Sequence, residues 1–259
     1  VAGMEEALGQ PIHWIDAVRP AYWRYLGLPV PAIFVQSGWS YPAFSALGRE
    51  VKAAGGRVIG LSDANWRGDF RQRVLGRVGF RALHRRHFDA MLVPGLQGER
   101  LMRAFGMRPE RVRHGMLGAD PALFTPGPPL ARRPKTFLFV GQFIRRKDVL
   151  GLSRAFLRFA PAHPDWTLRL CGSGVQRDEI PRHPRILVED FVQPERLGRH
   201  FHDARFFVLP SRIEAWGVVV HEAALSGCAL LLSDTIGAAD DFAPPANAIR
   251  FPPGDEDAL

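Results

Sequence analysis

The sequence predicts an α/β protein of two domains, each built around a parallel β-sheet. Three observations indicate this fold class. Short apolar runs alternate with helix-like segments along the chain, residues 206–233 read as strand, helix and strand, and a stretch rich in proline and glycine lies at 126–134. Parallel neighbouring strands need a long crossover connection, which a helix supplies. We therefore expect domains at 1–130 and 131–259, joined by a semi-rigid linker.

The first domain is expected to alternate strands and helices from its first clear apolar run onward. The elements are strands at 32–36, 57–61 and 89–93 and helices at 42–54 and 98–105. The first of these helices ends at the pair Gly55-Gly56, a common stop signal. Polar residues follow the strands, at the sheet edge where ligands bind in open α/β folds.

A further helix is expected over residues 67–87, with a basic ridge on one side and apolar residues on the other. Arginine recurs there at every fourth position, which places the side chains on one helical face. The ridge is Arg73, Arg77, Arg81 and Arg85, and the apolar side is Leu75, Val78, Ala82 and Leu83. An amphipathic helix of this kind can lie on an anionic membrane surface. The alternative is an ordinary solvated face.

The second domain continues the same alternation. Its expected elements are strands at 136–140, 167–171, 186–189, 206–209 and 229–232 and helices at 150–159, from Pro194, and between Gly217 and Gly227. A short loop, Gly172-Ser173-Gly174, follows the second of these strands. Such a glycine loop is a weak signal for ligand binding by itself.

Composition limits the classes of protein that fit. The chain has 259 residues and a net charge of +8, and the excess of basic residues lies in residues 1–130, which favours anionic partners. No apolar run is long enough to span a membrane, and the first ten residues lack the features of a targeting signal. We therefore expect a cytoplasmic protein. Cys171 and Cys228 have no metal-ligand spacing, so buried free thiols are the simpler interpretation.

The strongest chemical signal lies between the strand at 206–209 and the helix that follows it. Two carboxylates, Glu214 and Glu222, flank the expected helix start at Gly217. An open helix start offers unpaired N–H groups and a partial positive charge, so Trp216, Gly217 and Val218 predict a diphosphate cradle. The carboxylates can then bind hydroxyl groups on either side, as a sugar nucleotide presents them. The alternative is that Glu214 caps the helix and Glu222 lies on its solvated face.

The motif PSRIEAWGVVVHEAALSG, residues 210–227, closely resembles the donor-site signature of the retaining glycosyltransferases of family 4, also called group 1. That family pattern has Pro-Ser, a Glu, Phe or Trp before Gly, and a second Glu followed by Ala. The resemblance implies the GT-B fold, in which two Rossmann-like domains face a cleft. It is clear over residues 86–259 and faint over 32–85, so we expect both domains to be incomplete at the chain ends.

The resemblance also assigns roles to individual residues. In the family, a Val-Gly-Arg motif and a later Lys face the donor diphosphate. Gly141 and Lys147 match this pattern, but Gln142 replaces the Arg and supplies no charge, so Arg145 or Arg146 is a candidate to compensate. The resemblance implies that Lys147 stabilises charge on the departing diphosphate.

Further family positions extend this expected donor site. Gly172 and Gly174 stand where the family has its donor-pocket glycines, and Val192 stands where backbone groups hold the base, although Asp190 replaces a usual glycine. The strand at 57–61 often ends in a His near the donor sugar in relatives. Here Asp63 is the candidate to take over those contacts, with an Asx turn as the alternative.

The leading hypothesis is a retaining, metal-independent glycosyltransferase that uses a UDP- or GDP-sugar as donor and no further cofactor. Glu214 would contact the donor sugar, Glu222 the ribose, and a glycan or a lipid-linked compound would be the acceptor. The alternatives are a nucleotide-sugar epimerase or phosphorylase of the same fold, and a non-catalytic nucleotide-binding or membrane-docking module. A nucleic-acid binder is disfavoured, because the arginine ridge is not interleaved with stacking aromatic residues.

Overall fold

The computed structural model describes Glu5 and residues 9–259. Contacts divide the chain into a first compact unit, Val1–Ser62, Trp66–Val93 and Glu99–Met116, and a second unit, Asp63–Asn65, Pro94–Gly98 and Leu117–Leu259. The expected domain boundary near residue 130 remains a prediction. By their contacts, residues 117–130 cluster with the second unit. The interpretation that residues 1–10 lack a targeting signal falls largely outside the described residues.

The first unit contains a four-stranded sheet in which all strands are parallel. The strands follow the chain order, β1, β2, β3 and β4. Their bounds are β1 Ile33–Ser37, β2 Arg57–Leu61, β3 Ala90–Leu92 and β4 Val112–Arg113. Because all four strands are parallel, their amino ends lie at one edge of the sheet and their carboxyl ends at the other.

Two of the helices near this sheet match the predicted elements closely. Helix α1 is Pro42–Ala53, α2 is Arg77–Leu83 and α3 is Leu96–Ala104. Helix α1 begins with a proline and buries Ala43, Ala46, Leu47 and Val51 completely or nearly so. Its apolar stripe is the face that the 3.6-residue period predicts.

The predicted continuous helix over 67–87 is wrong. Gly68 has a φ of 65°, which breaks the helix, and the Asp69 carboxylate accepts a hydrogen bond from the N–H of Gln72 at 2.8 Å. The helical residues begin with a π-helical segment, Arg71–Gly76, and end with α2 at Leu83. A π-helical turn shifts the side-chain register, and Arg85 lies beyond the last turn. The four arginines therefore do not form one regular helical ridge.

The expected apolar side of this segment is also not covered. Leu75, Val78 and Leu83 are 62%, 64% and 73% exposed. Ala82 is exposed as well. The arginines at 73, 77, 81 and 85 are all exposed. This segment thus presents both apolar and basic side chains to its surroundings.

The second unit contains a six-stranded parallel sheet with the order β10, β9, β8, β5, β6, β7. Its strands are β5 Thr136–Val140, β6 Thr167–Cys171, β7 Ile186–Glu189, β8 Phe206–Leu209, β9 Ala229–Ser233 and β10 Ala248–Phe251. The order reverses between β5 and β8, since the chain moves outward to β7 and then returns. Loops at the carboxyl ends of strands on both sides of such a reversal point are the usual ligand site of an α/β sheet.

Four helices complete the second unit. They are α4 Val149–Phe159, α5 Pro194–His202, α6 Val218–Leu225 and α7 Ala239–Phe242. The core between sheet and helices is rich in aromatic side chains, including Phe139, Phe143, Phe201 and Phe207, which are fully buried. Each such ring removes a large apolar area from water, so this packing is the main stabilising contribution in the unit.

The expected linker is packed rather than free. Phe124 is 3% exposed and belongs to the core of the second unit. The buried guanidinium of Arg133 donates hydrogen bonds to four backbone carbonyls, those of Pro128, Phe201, Ala204 and Ser226. Asp120 forms the expected turn, accepting the N–H of Ala122 at 2.8 Å. The segment 117–134 is thus part of the second unit.

The two parallel sheets with flanking helices confirm the predicted α/β fold class. Cys171 and Cys228 are buried free thiols, as expected. Over the part of the chain that the structure describes, every helix is too short or too polar to cross a membrane.

Candidate functional site

The start of helix α6 has the backbone geometry that the sequence predicts. Gly217 is the N-cap residue, with φ 90° and ψ 67°. An L-amino acid rarely adopts this left-handed conformation, so glycine is needed here. Within the described chain, no side chain caps the helix. The N–H of Val220 donates to the Gly217 carbonyl at 2.9 Å, but the N–H groups of Val218 and Val219 have no acceptor among the described residues and remain available for a ligand. A helix start of this kind favours negative charge.

Glu214 does not cap α6 but lies in a buried ion-pair group. Its carboxylate is paired with the ammonium group of Lys147, and both side chains are nearly buried, at 9% and 11% exposure. The hydroxyl of Ser211 donates to the same carboxylate at 3.2 Å, and Nη1 of Arg146 lies 3.5 Å from both carboxylate oxygens. These contacts exclude the alternative in which Glu214 is a helix cap.

The two cations come from a single turn after β5. Residues Arg145–Lys147 form a 3₁₀ turn, and the Arg146 carbonyl accepts the N–H of Arg212 at 2.8 Å. The guanidinium of Arg212 in turn lies 2.9 Å from the Asp148 carboxylate. These contacts fix the turn against the loop after β8, so Lys147 and Arg146 reach Glu214 from a stable position. Arg145 and Arg146 are both exposed, and of the two it is Arg146 that reaches the Glu214 carboxylate.

Two glycine loops meet beside this group. The N–H of Phe143 donates to the Ser173 carbonyl at 2.8 Å, and the Gly141 N–H donates to the Cys171 carbonyl at 3.0 Å. A Cβ atom at Gly172 would lie 1.9 Å from the carbonyl oxygen of Gly141, so only glycine permits this approach. At Gly174 it would lie 2.4 Å from the carbonyl oxygen of Phe143. The glycines at 172 and 174 therefore shape the loop pair.

Four of the predicted residues lie close together in the structure. Lys147 pairs with Glu214. A Cβ atom built on Gly141 lies 3.9 Å from Cε of Lys147, and one built on Gly217 lies 3.3 Å from Cγ of Glu214. The structure thus brings Gly141, Lys147, Glu214 and Gly217 together, although they are up to 76 positions apart in the chain.

Glu222 lies on α6, half-buried, and differs from a solvated surface carboxylate. Burial raises the pKa of Glu222 to about 7. Among the described residues, no donor forms a hydrogen bond with its carboxylate. A half-buried carboxylate that lacks a donor is costly in the free protein. The alternative of an ordinary solvated side chain is therefore excluded.

The remaining predicted residues of the second unit are more peripheral. Trp216 is 4% exposed, packs edge-on against Phe242 and has a buried Nε1 without a hydrogen-bond partner in the described chain. Val192 is half-buried against the core, and Gln142 is exposed. The carboxylate of Asp190 lies 2.9 Å from the Arg177 guanidinium.

Asp63 belongs by its contacts to the second unit and is exposed. Within the described chain, its carboxylate takes part in no hydrogen bond or ion pair, so the Asx turn expected as the alternative is not formed. A role for Asp63 near the reacting carbon remains a prediction.

One set of potential metal ligands occurs in the described residues of the second unit. A sulfur atom of Cys171, a carboxylate oxygen of Glu189 and a ring nitrogen of His200 lie within 4.8 Å of one another. However, Glu189 is already paired with His200 at 2.8 Å and with Arg169 at 3.2 Å. Burial raises the pKa of the Cys171 thiol to about 12, which keeps it protonated. The cluster is thus better described as a compensated ion-pair group.

Sequence reasoning missed Ser211 as a member of the site. The signal was present, because Ser211 belongs to the Pro-Ser pair of the motif and is three positions from Glu214. Its side chain is fully buried, and its carbonyl oxygen accepts hydrogen bonds from the hydroxyls of Ser233 and Thr235 at 2.5 and 2.8 Å. Ser211 therefore orients Glu214 from a fixed turn.

Comparison with known proteins places this site in a wider group. Residues 134–259 match the family described as glycosyl transferases group 1. A curated relative, the 2-deoxystreptamine N-acetyl-D-glucosaminyltransferase of Niallia circulans, is 27% identical over 128 residues, which is 47% of this chain and 33% of the relative. The chain spans about a third of the length of the curated relatives it matches.

Solved structures share the fold. Sucrose-phosphate synthase from Thermosynechococcus elongatus superimposes with a TM-score of 0.66 at 21% identity, covering 90% of this chain and 63% of that protein. Anabaena HepE, solved in complex with UDP and glucose, gives a TM-score of 0.62 at 15% identity, covering 83% and 62%. Together with the two parallel sheets, these similarities confirm the predicted GT-B type of fold.

Proposed function

We propose that the chain, whose residues 134–259 match the glycosyl transferases of group 1, transfers a sugar from a nucleotide-diphosphate sugar to an acceptor hydroxyl. One observation carries the proposal. The Lys147–Glu214 ion pair lies beside the helix start at Gly217 and beside the glycine loop at Gly141. That combination offers a cation, free N–H groups and a carboxylate to one ligand.

Each group has a role in this proposal. Lys147 and the N–H groups of Gly217 and Val218 bind the diphosphate and stabilise the charge that develops on it as the sugar departs. Glu214, oriented by Ser211, accepts hydrogen bonds from hydroxyls of the donor sugar. Glu222 accepts hydrogen bonds from the ribose hydroxyls, which replace the partners that its half-buried carboxylate lacks.

Arg146 replaces the cation that Gln142 cannot supply. Its guanidinium already lies 3.5 Å from the Glu214 carboxylate and donates to the Ile213 carbonyl at 3.0 Å, so it is aimed at the site. With Lys147 and Arg146 as two fixed cations, the departing diphosphate needs no metal ion to balance its charge. We propose on this basis that transfer is metal-independent and uses no further cofactor.

We further propose retention at the anomeric carbon, with the acceptor attacking on the face from which the diphosphate departs. Lys147 and the start of α6 hold that diphosphate in place, so it can accept the acceptor proton as the bond to the sugar breaks. The product configuration can be read by proton NMR. An α-linked product from an α-linked donor is expected, and a β-linked product would contradict this step.

The donor reaction is tested by incubating the full chain with UDP-glucose or GDP-mannose and following release of the free nucleoside diphosphate. Slow hydrolysis is expected in the presence of EDTA, and it should be lost in Glu214→Ala. The matched control is Glu195→Ala, which removes an exposed carboxylate in the first turn of α5. Equal loss in both variants, or unchanged release in Glu214→Ala, would contradict the assignment of Glu214.

A second candidate function is a nucleotide-binding module without catalysis. It is favoured by the exposed Gln142, which stands where relatives carry an Arg, and by Asp190, which is engaged with Arg177. Saturable binding of UDP or GDP with no turnover across glycan, lipid-linked and small-molecule acceptors would favour this module over the transferase.

The acceptor is proposed to be a glycan or a lipid-linked compound presented at an anionic membrane surface on the cytoplasmic side. The first unit supports this, because Phe70, Leu75 and Val78 are at least 62% exposed beside Arg73 and Arg77. Apolar and basic side chains in one segment fit a lipid interface. Sedimentation with phosphatidylcholine vesicles, with and without phosphatidylglycerol, tests this surface. We expect the chain to bind only the vesicles that contain phosphatidylglycerol, and we expect Leu75→Ser/Val78→Ser to abolish that binding.

A further inference from the structure

A strongly cationic cavity lies in the first unit, on the opposite edge of its sheet from the carboxyl ends of the strands. It has a volume of about 760 Å³. One of its lining residues, Asp89, is acidic, and six are basic. The basic residues are Lys52, Arg81, Arg85, Arg86, Arg108 and Arg111. The volume is in the range of small-ligand sites.

The position of the cavity follows from the parallel topology. Asp89 directly precedes β3, and Arg111 directly precedes β4. Lys52 lies in the last turn of α1, just before the chain enters β2. All three elements therefore meet at the amino edge of the sheet. Ligands of open α/β sheets bind at the carboxyl edge, so this cavity is separate from the substrate edge of the same unit.

Most of the positive charge in the cavity is not compensated by the protein. The Asp89 carboxylate is taken up by Lys52 at 2.7 Å, Arg57 at 3.2 Å and the N–H of Val58 at 2.9 Å. Arg108 lies 3.0 Å from Glu110. In the described part of the chain, no carboxylate pairs with the remaining four guanidinium groups, which are Arg81, Arg85, Arg86 and Arg111.

In one wall of the cavity, the Arg81 side chain packs closely against the backbone at Phe105 and Gly106. Nε of Arg81 donates to the Phe105 carbonyl at 3.3 Å. A Cβ atom at Gly106 would lie 2.5 Å from the same Nε, and the φ of Gly106 is 91°. Glycine is needed there both for the conformation and for the contact. The Arg81 guanidinium is thus held against the cavity wall while the other arginines surround it.

We propose that this cavity binds a phosphate group, contacted by Arg85, Arg86 and Arg111 and by the fixed guanidinium of Arg81. A guanidinium group can donate two parallel N–H hydrogen bonds to the oxygens of one phosphate. Each of these charge-assisted hydrogen bonds is stronger than a neutral one. Repulsion among four uncompensated cations is relieved by a ligand of two or more negative charges. The phosphate belongs either to a soluble phosphorylated compound or to the headgroup of an anionic lipid.

The soluble source is tested with inorganic pyrophosphate and the ¹⁵N-labelled chain. The amide signals of Gly106 and Met107, in the cavity wall, report binding at this site. We expect them to shift in the unmodified chain and equally in Lys147→Ala, since the proposal does not depend on the donor site. In Arg85→Gln/Arg86→Gln/Arg111→Gln the affinity should fall by at least about tenfold.

The matched control removes three exposed arginines elsewhere in the same unit, with the same change in net charge. It is Arg19→Gln/Arg24→Gln/Arg113→Gln, which leaves the exposed segment around Leu75 and Val78 unchanged, and its pyrophosphate affinity should stay within about twofold of the unmodified chain. Equal loss in both variants would show non-specific attraction and overturn the proposal. Absence of any shift at Gly106 and Met107 would overturn it as well. Thermal unfolding of both variants establishes that they are folded.

Vesicles containing phosphatidylglycerol distinguish the two sources. If the cavity variant loses both vesicle binding and pyrophosphate binding while the control keeps them, the bound phosphate is that of a lipid headgroup. If the cavity variant loses pyrophosphate binding alone, the ligand is a soluble phosphorylated compound. Vesicle binding that falls equally in both variants, together with unchanged pyrophosphate binding, would contradict the assignment of the cavity.

Discussion

Replacing Lys147 with methionine tests the ion pair on which the donor site is built. The change leaves the Glu214 carboxylate, 9% exposed, without its main counter-ion. Removing one partner of a buried ion pair costs about 3–5 kcal/mol. Here Ser211 and Arg146 still contact the carboxylate, at 3.2 and 3.5 Å, so we expect the lower part of that range or slightly less, about 2–3 kcal/mol.

The matched control is another lysine–carboxylate pair in the same unit. Lys135 and Asp165 also make a direct ion pair, but their side chains are 40% and 55% exposed. Solvent screening makes exposed pairs weak, so Lys135→Met should lower the free energy of unfolding much less than Lys147→Met does. Comparing the two variants therefore isolates the effect of burial on the same kind of contact.

The free energy of unfolding is measured by guanidinium chloride titration at pH 7, followed by far-UV circular dichroism. The double variant Lys147→Met/Glu214→Gln removes both charges and should recover at least half of the loss seen in Lys147→Met. The reasoning is refuted if Lys147→Met is no less stable than Lys135→Met, or if the double variant is as unstable as the single one.

Three further predictions concern neighbouring parts of the second unit. Burial raises the pKa of Glu222 to about 7 in the folded chain, above its value in the unfolded chain. Between these two pKa values the folded chain keeps a proton that the unfolded chain has lost. The free energy of unfolding therefore falls as the pH rises toward 7, and it stays lower above pH 7. Glu222→Gln should therefore be more stable than the unmodified chain at pH 8, by about 1–2 kcal/mol after allowance for solvent screening, and the difference should vanish near pH 4 in thermal unfolding; an equal difference at both pH values would contradict this. Gly172→Ala forces a Cβ against the Gly141 carbonyl and should lower stability by at least about 2 kcal/mol and weaken UDP binding, and unchanged binding would show that the loop is not part of the site. Arg133→Met removes the guanidinium that donates to four carbonyls. The Phe201 and Ser226 carbonyls keep a backbone N–H donor, so the change should cost about 2 kcal/mol or more in chemical unfolding, whereas a cost below about 1 kcal/mol would mean that water satisfies the other two.

The regular elements of the second unit were predictable because their sequence signals are local. The apolar run at β5 gives the observed bounds, Thr136–Val140, and β8 is likewise Phe206–Leu209. Helix α4 ends before Pro161, as a helix must when a proline follows. For such elements, side-chain pattern and backbone chemistry agree, and no distant contact is needed to place them.

The segment before α2 was not predictable from periodicity alone. Arginine at every fourth position favours a regular helix, but that argument assumes a constant turn. Gly68 interrupts the chain, and the π-helical segment Arg71–Gly76 changes the register between Arg73 and Arg77. The same argument predicted covered apolar residues that are in fact exposed, because a period identifies a face without showing what packs against it.

The motif located the proposed donor site, but the pairing within it came only from the structure. Lys147 and Glu214 are 67 positions apart, and no local rule predicts that they form a buried ion pair. Ser211 was hidden for the same reason, since its role depends on the turn that orients it. The cationic cavity was also beyond sequence reasoning, because Lys52, Arg85 and Arg111 come from separate segments that meet only through the parallel sheet.

Calorimetric titration of the chain with UDP, UMP and uridine tests the central claim most directly. A site formed by Lys147 and the start of α6 at Gly217 predicts that UDP binds more tightly than UMP or uridine. It also predicts that Lys147→Ala lowers the UDP affinity by at least about tenfold, a loss of about 1.4 kcal/mol, while uridine binding is unchanged. UDP affinity that is equal in Lys147→Ala and in the unmodified chain would contradict the account.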